Sequence, residues 1–469
     1  MYLTYEEFNA ATSFEAKIGF TLSTLQKQDI ITFIEWRRSL NRYEVGGGKT
    51  VVSTAVSLMG DAEVTVVIVL PVLVRPWVKW LNKVSERVLR YEGTPAERKN
   101  MKMQGHRWIV MTHAIFRKEY KFIHEVHKGR YVDLIVDEAQ AIKNPESILY
   151  NCVGRFTERD HGGLQKLTGT PTSTPMDAYA YLRLQRTDFY RSYEHFDSMH
   201  VASRGFFKEI TEYKNLDLLS ERFAFRSIRR SKEELHGYDL KPLYPDTEYE
   251  LAPDHQAFYE MMVEEQLIEF DDNSVIDLAK AGRLRHALQQ VVVNYDFFSR
   301  NPKNRSRAYD LIDLTIEQTE CLDPAHSKLI IWTFYKLTSR NVLAYLAAKG
   351  IKAVGAYGEV NSPVNTQRFM EDPTVRVGVF QYQSAGAGLE PQFVCWENLF
   401  LEVSTVPIYM TQATGRTNRM GQKHVPTMRL ATALNTVQVH MLDGLLKADE
   451  RVVKVERTKK SLRDMLLGK

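Results

Sequence analysis

Gly46-Gly47-Gly48-Lys49-Thr50, followed by the helix-compatible run Val51–Met59, is the stretch on which the reading of this chain turns. Glycines let the backbone turn its N–H groups onto phosphate oxygens, and the start of a helix adds a favourable dipole. A lysine at this spacing reaches β- and γ-phosphates, and the threonine hydroxyl holds Mg2+. The fuller GxxxxGK[ST] pattern asks for glycine at position 43, where Tyr43 stands, and the strand expected before the loop, Leu40–Val45, carries Asn41, Arg42 and Glu44. Taken alone, the stretch is either a phosphate loop or a flexible loop that binds nothing.

Downstream, Val132-Asp133-Leu134-Ile135-Val136-Asp137-Glu138 is an apolar strand ending in two acids. A carboxylate at such a strand tip can hold the Mg2+ that accompanies ATP, and its neighbour can polarise the attacking water. Two acids at a strand end are also a common solvated turn; the glycine-rich loop upstream and the string DEAQ favour the chemical reading. Further along, Gln412-Ala413-Thr414-Gly415-Arg416-Thr417-Asn418-Arg419 carries two arginines three apart. That spacing predicts one helix face presenting both guanidinium groups to a γ-phosphate, against the alternative of a salt-bridged surface helix.

Around these stretches, strand-like runs alternate with helix-compatible segments. They are Val64–Leu70, Trp108–Thr112, Val132–Val136 and Leu164–Leu167 in the first half. In the second they are Lys328–Phe334, Ala353–Tyr357, Val375–Phe380, Asn398–Val403 and Thr427–Ala431. The rhythm predicts an α/β fold with two parallel sheets and helical crossovers. The first domain is expected over residues 1–250, with a helical insertion from about residue 177. Linker helices, the second domain and a basic C-terminal tail are expected over 251–469. Phe189, Tyr190, Tyr193 and Phe196 in the insertion read as core packing in preference to a strand-separating wedge.

Composition excludes several classes. Over 469 residues, 44% are hydrophobic and 26% charged, which fits neither a collagen-like nor a disordered chain. Lys+Arg 62 against Asp+Glu 58 gives +4, too mild to announce nucleic acid by itself. Three scattered cysteines form no CxxC pair, which points to a reducing compartment. The most apolar run, Val64–Val74, is too short to span a membrane, and the N-terminus lacks the pattern of a secretory signal, so the cytoplasm is expected.

In the order of its motifs the chain resembles the superfamily 2 helicases and, within them, the Swi/Snf-type DNA translocases. The resemblance rests on GGGKT at 46–50, VLPVLVRPW at 69–77, DEAQAIKNP at 137–145, LTGTP at 167–171 and QATGRTNRMGQ at 412–422. Ile142-Lys143-Asn144 after the acidic box and Met420-Gly421-Gln422 after the second arginine resemble the Swi/Snf form more than the RNA-helicase form, and Arg229-Arg230-Ser231-Lys232 is similar to the family's RRxK segment. The box ends in Gln140 where the family commonly has His.

The resemblance implies two tandem RecA-like domains with the nucleotide site in the cleft between them, ATP and Mg2+ as cofactors, and DNA as partner. Gln28, or else Gln26, would recognise adenine. Gly46, Gly47, Gly48, Lys49 and Thr50 would bind phosphate, with Thr50 and Asp137 holding Mg2+ and Glu138 serving as base. Gln140 would couple ATP to DNA, and Gly388, Gln412, Arg416 and Arg419 would complete the nucleotide site. Thr112, His113, Asn144, Thr172, Tyr335, Gln383 and Ser384 would line the DNA track. The compact length resembles bacteriophage and bacterial members, implying a monomeric motor on single-stranded, forked or branched DNA in replication, recombination or repair, in the host cytoplasm if phage-encoded. A duplex translocase that does not separate strands, an RNA helicase and a non-catalytic nucleic-acid-binding scaffold are the alternatives.

Overall fold

The computed structural model describes the chain except for residues 1–3, 159–161, 206–207, 239, 266, 270–274, 278–280, 359, 361, 386–389, 420, 457–460 and 468–469. It divides into two α/β units, Met1–Asp239 with Arg451–Lys459, and Leu240–Glu450 with Lys460–Lys469.

The first unit is built on β1 (Arg38–Asn41), β2 (Val64–Val69), β3 (Val88–Arg90), β4 (Trp108–Thr112), β5 (Val132–Asp137) and β6 (Leu164–Leu167). After a hairpin of β7 (Val201–Arg204) and β8 (Ile210–Tyr213), β9 (Ser227–Ile228) completes its main sheet. The order is β3-β4-β2-β5-β6-β1-β9, with every pairing parallel. Helices cover both faces of such a sheet, so β2 is buried along its whole length and can be all valine, isoleucine and threonine.

β1 is not legible as an apolar run because it reads Arg-Ser-Leu-Asn, yet it lies buried between β6 and β9. Two of its polar side chains find partners within the unit. Arg38 donates to the carbonyls of Thr157 and Leu184, and Asn41 Oδ1 accepts the Tyr43 N–H at 3.0 Å. The expected strand Leu40–Val45 therefore starts two residues earlier and ends at Asn41, which frees residues 42–48 to form the loop.

The second unit opens with β10 (Glu248–Tyr249) and a short antiparallel ribbon of β11 (Leu267–Glu269) and β12 (Val275–Asp277). Its main sheet contains β13 (Lys328–Thr333), β14 (Ala353–Ala356), β15 (Val377–Gln381), β16 (Cys395–Phe400) and β17 (Thr427–Leu430) in the order β14-β15-β13-β16-β17, again all parallel. β18 (Thr432–Ala433) pairs with β10. Leu329, Ile331, Val377, Val379 and Leu399 fill one side of the sheet, and Ile330, Trp332, Phe380 and Phe400 the other. Expected strands agree with observed ones within a few residues throughout this unit.

The insertion after β6 is helical in Ala178–Leu184, Tyr193–His200 and Leu216–Phe223, but it also carries the β7–β8 hairpin, which no alternation in the sequence announces. Of its aromatics, Tyr190 and Phe196 are buried, with the Tyr190 hydroxyl 2.6 Å from His200 Nε2, whereas Tyr193 is exposed. All three cysteines are buried and free. Among the described residues no helix is long and apolar enough to cross a membrane.

Candidate nucleotide site and DNA-contact residues

The glycine-rich loop ends at Gly48, whose φ of +86° suits glycine, and the helix Lys49–Met59 starts immediately after it. Lys49 Nζ lies back on its own loop, donating to the carbonyls of Tyr43 (2.8 Å) and Glu44 (3.1 Å). Gly169 of the LTGTP turn faces the same place. A Cβ there would stand 3.1 Å from the Tyr43 carbonyl oxygen and 3.5 Å from Lys49 Nζ, so the turn and the loop approach each other closely at this glycine.

Tyr43, the departure from the phosphate-loop pattern, is explained by packing. Its ring is fully buried, and its hydroxyl donates to Asp29 Oδ2 at 2.7 Å. Arg230 grips the same carboxylate with two N–H donors at 2.9 and 2.7 Å. Next to it, Glu44 accepts from Arg229 Nη2 at 3.2 Å and from the Lys232 backbone N–H at 3.1 Å. The Arg229–Lys232 segment thus braces the start of the loop with charge-assisted hydrogen bonds, which are stronger than neutral ones. No local pattern announces this, because the partners lie 185 to 201 residues apart.

The choice between the two early glutamines is a matter of helix phase. On the helix Thr24–Trp36, Gln26 is 1% exposed and donates from Nε2 to the Gly47 carbonyl at 3.1 Å, while its Oε1 accepts the Ser23 N–H. Gln28, two residues on, points to a different side of the helix and is exposed. Of the two, the residue that reaches the phosphate loop is Gln26.

Asp137 closes β5 and is 9% exposed. Its Oδ2 accepts the Trp77 indole N–H at 2.7 Å and its Oδ1 the Glu138 N–H at 3.0 Å. Burial, then the neighbouring Glu138 charge, pushes the Asp137 carboxyl up, while Trp77 and Lys49 pull it down. Glu138 has a left-handed backbone (φ +49°), and its Oε2 accepts from Gln140 Nε2 at 2.6 Å. His113 joins through the backbone, its Nε2 3.0 Å from the Asp137 carbonyl oxygen. Lys49, Asp137, Glu138, Gln140 and the LTGTP turn therefore gather at the carboxyl ends of β5 and β6, where parallel sheets bind ligands.

In the second unit the two arginines do not share a helix face. The helix Pro407–Thr417 ends before Arg419, with Asn418 as its cap. Arg416 is buried in its last turn, whereas Arg419 lies beyond it and pairs with Glu390 at 2.9 Å. Three-residue spacing guarantees a common face only while the helix continues. Gln412 is half-buried on the same helix. Gly388 and Met420 lie outside the described residues, as does the side chain of Ser384.

Several expected DNA contacts have their polar atoms engaged internally. Thr112 caps the helix His113–Val126, accepting the Ile115 N–H. The Tyr335 hydroxyl sits 2.6 Å from His286 Nδ1 and donates to Gln289 at 2.9 Å. Thr172 is 3% exposed; its N–H (3.1 Å) and hydroxyl (2.5 Å) both donate to Glu456 Oε1. Arg42 in turn donates to the Glu456 carbonyl at 2.8 Å. The Thr172 hydroxyl, expected on the DNA track, is thus engaged by a carboxylate from the C-terminal segment. Asn144 and Gln383 are exposed.

Residues 24–301 match the model of the SNF2-related domain family. Among solved structures, the Sulfolobus solfataricus SWI2/SNF2 ATPase core in complex with double-stranded DNA is 19% identical with a TM-score of 0.41, covering 96% of this chain and 98% of that one. The same ATPase core domain in a separate structure is 18% identical at TM-score 0.42, covering 96% and 95%. The Pyrococcus furiosus Hef helicase domain is 15% identical at TM-score 0.52, covering 94% and 99%, a likeness of fold. No curated protein sequence matches the chain. With the family model spanning more than half its length, the chain belongs to the SNF2-related family: it is a Swi/Snf-like superfamily 2 ATP hydrolase with two RecA-like units.

Proposed function

We propose that this chain couples ATP hydrolysis to movement on DNA and acts on forked or branched DNA in replication, recombination or repair, as a cytoplasmic monomer. The observation that carries the motor reading is the convergence of Lys49, Asp137, Glu138 and the LTGTP turn at the carboxyl ends of β5 and β6. The donor set suits Mg2+, a hard cation that takes few protein carboxylates and completes its shell with phosphate and water. Asp137 and the Thr50 hydroxyl would hold it, and when bound it supplies Lewis-acid polarisation of the phosphoryl oxygens.

The chain's own residues do the rest. Lys49 leaves the carbonyls of Tyr43 and Glu44 for the phosphates, and the loop N–H groups and helix N-terminus stabilise the triphosphate. Gln26, or else Gln28, reads adenine. Glu138 orients and deprotonates water, and Gln140, hydrogen-bonded to that carboxylate, couples hydrolysis to DNA. Arg416 and Arg419 stabilise the charge on the transferred group.

The finer reading, strand separation, draws on the β7–β8 hairpin. It is an antiparallel element in a unit whose main sheet is wholly parallel, and Ala202, Ser203, Arg204, Lys208, Glu209, Thr211 and Glu212 on it are exposed. Such a hairpin is suited to wedging between paired strands. The test is a panel of blunt duplex, single strand, fork, four-way junction and duplex RNA, scored for hydrolysis and for strand separation across a salt series. Preference for forks or junctions, weakening steeply with salt as phosphate contacts require, supports the proposal. Equal stimulation by all DNAs without strand separation leaves a plain duplex translocase, and stimulation by RNA alone overturns DNA as the substrate.

A further inference from the structure

The helix Val74–Leu81 starts within the VLPVLVRPW stretch, and each of its two tryptophans donates a hydrogen bond to another element. Trp80 Nε1 donates to Thr54 Oγ1, on the helix that follows the phosphate loop, at 3.0 Å. Trp77, 3% exposed, donates its indole N–H to Asp137 Oδ2 at 2.7 Å. The Trp77 ring is held by an apolar cluster that includes Val67, Val69, Leu81, Trp108 and Ile135, so the donor is aimed by packing and not by a flexible stem. Since Oδ1 of the same carboxylate accepts the Glu138 N–H at 3.0 Å, both oxygens are tethered and the plane of the carboxylate is set.

We propose that Trp77 is a positioning residue for the metal-binding acid: its indole N–H fixes the orientation of the Asp137 carboxylate and thereby sets the affinity for Mg2+ with nucleotide. This rests on the reading of Asp137 as the Mg2+ ligand. Hydrogen bonds to a ligating carboxylate of this kind are worth about 10–100-fold in metal affinity or activity when removed.

The test uses the full chain and a fluorescent ADP analogue, with the Mg2+ concentration that gives half-maximal binding as the readout. Trp77→Phe keeps an aromatic ring and removes the donor; its Mg2+ midpoint should rise about 10–100-fold, with metal-free nucleotide binding unchanged. Trp80→Phe, which removes the neighbouring indole donor on the same helix, should leave the midpoint in place. In an Asp137→Asn background, Trp77→Phe should add nothing, because residues that act through one group are non-additive. An unchanged midpoint in Trp77→Phe, or a shift that adds to that of Asp137→Asn, overturns the inference. An unchanged midpoint in Asp137→Asn would overturn the Mg2+ reading itself, so the two failures are distinguishable.

A second measurement needs no folded variant at position 77. In 15N-tryptophan-labelled protein, with six tryptophans to resolve, the Trp77 indole resonance should shift when Mg2+ is added to the ADP-bound protein. An indole spectrum untouched by Mg2+ overturns the proposal.

Discussion

Each unit carries a buried acid at the carboxyl end of a central parallel strand, and the two are used differently. Asp137 ends β5 in the first unit; Glu402 follows β16 in the second. Asp137 accepts two hydrogen bonds, keeps some exposure and stands among Glu138, Lys49 and a glycine-rich loop. Glu402 is wholly buried and accepts the Phe334 N–H (2.7 Å), the Tyr335 N–H (3.0 Å) and the Thr338 hydroxyl (2.5 Å), while its carbonyl oxygen accepts from Tyr382 at 2.6 Å. Burial raises both carboxyls, Glu402 to about 7. A carboxylate with remaining lone pairs beside an open loop is available to a ligand. One closed over by backbone and hydroxyl donors holds a turn in place, here the Phe334-Tyr335 entry to the helix Lys336–Ala348.

The largest effect expected is at the open site. Lys49→Ala should abolish ATP turnover with the fold intact by circular dichroism, since its ammonium rests on carbonyls of its own loop and contributes most to phosphate charge. Near-normal turnover would remove this loop from the nucleotide site and dissolve the contrast between the acids. Glu138→Gln should retain nucleotide binding but hydrolyse slowly, because the amide preserves shape and cannot take a proton; lost nucleotide binding would make Glu138 a structural or metal position. Arg416→Ala and Arg419→Ala should each cut turnover by about 10³–10⁵-fold, the range of arginine fingers, with ATP affinity much less affected in an equilibrium binding assay. Unchanged turnover in both would return them to a surface role.

The smallest effect belongs to the closed site and concerns stability. Glu402→Gln would turn an amide donor toward donors it now accepts from, and should cost about 1–3 kcal/mol near neutral pH, read as a lower thermal midpoint. Because the folded carboxyl sits near 7 and the unfolded one near its ordinary, lower value, the folded state holds the proton more tightly. The part of its contribution that comes from holding the proton is therefore full at acidic pH, declines as pH rises from the ordinary carboxyl range and is lost above about 7. Thermal midpoints from pH 4 to 8 should show this decline in the parent and not in Glu402→Gln. Identical pH profiles would mean that Glu402 is no more perturbed than a surface acid.

The chemistry-bearing strings are readable before any coordinates because their function depends on local spacing. A glycine-rich turn into a helix and an acidic strand tip are short-range objects, and apolar runs buried on both faces announce parallel strands. That is why β2, β4, β5 and β6, and the five main-sheet strands of the second unit, are legible within a few residues. β1 is not, since its Arg38 finds its partners, the carbonyls of Thr157 and Leu184, only in the folded unit, and the early glutamines cannot be separated until the helix phase is known. The end of the helix at Thr417, which separates Arg416 from Arg419, and the grip of Glu456 on Thr172 across 284 residues depend on contacts that no local pattern encodes. Spacing along the chain determines which groups can do chemistry; where each buried polar group finds its partner is decided by tertiary packing, because an unpaired one costs too much to leave to chance.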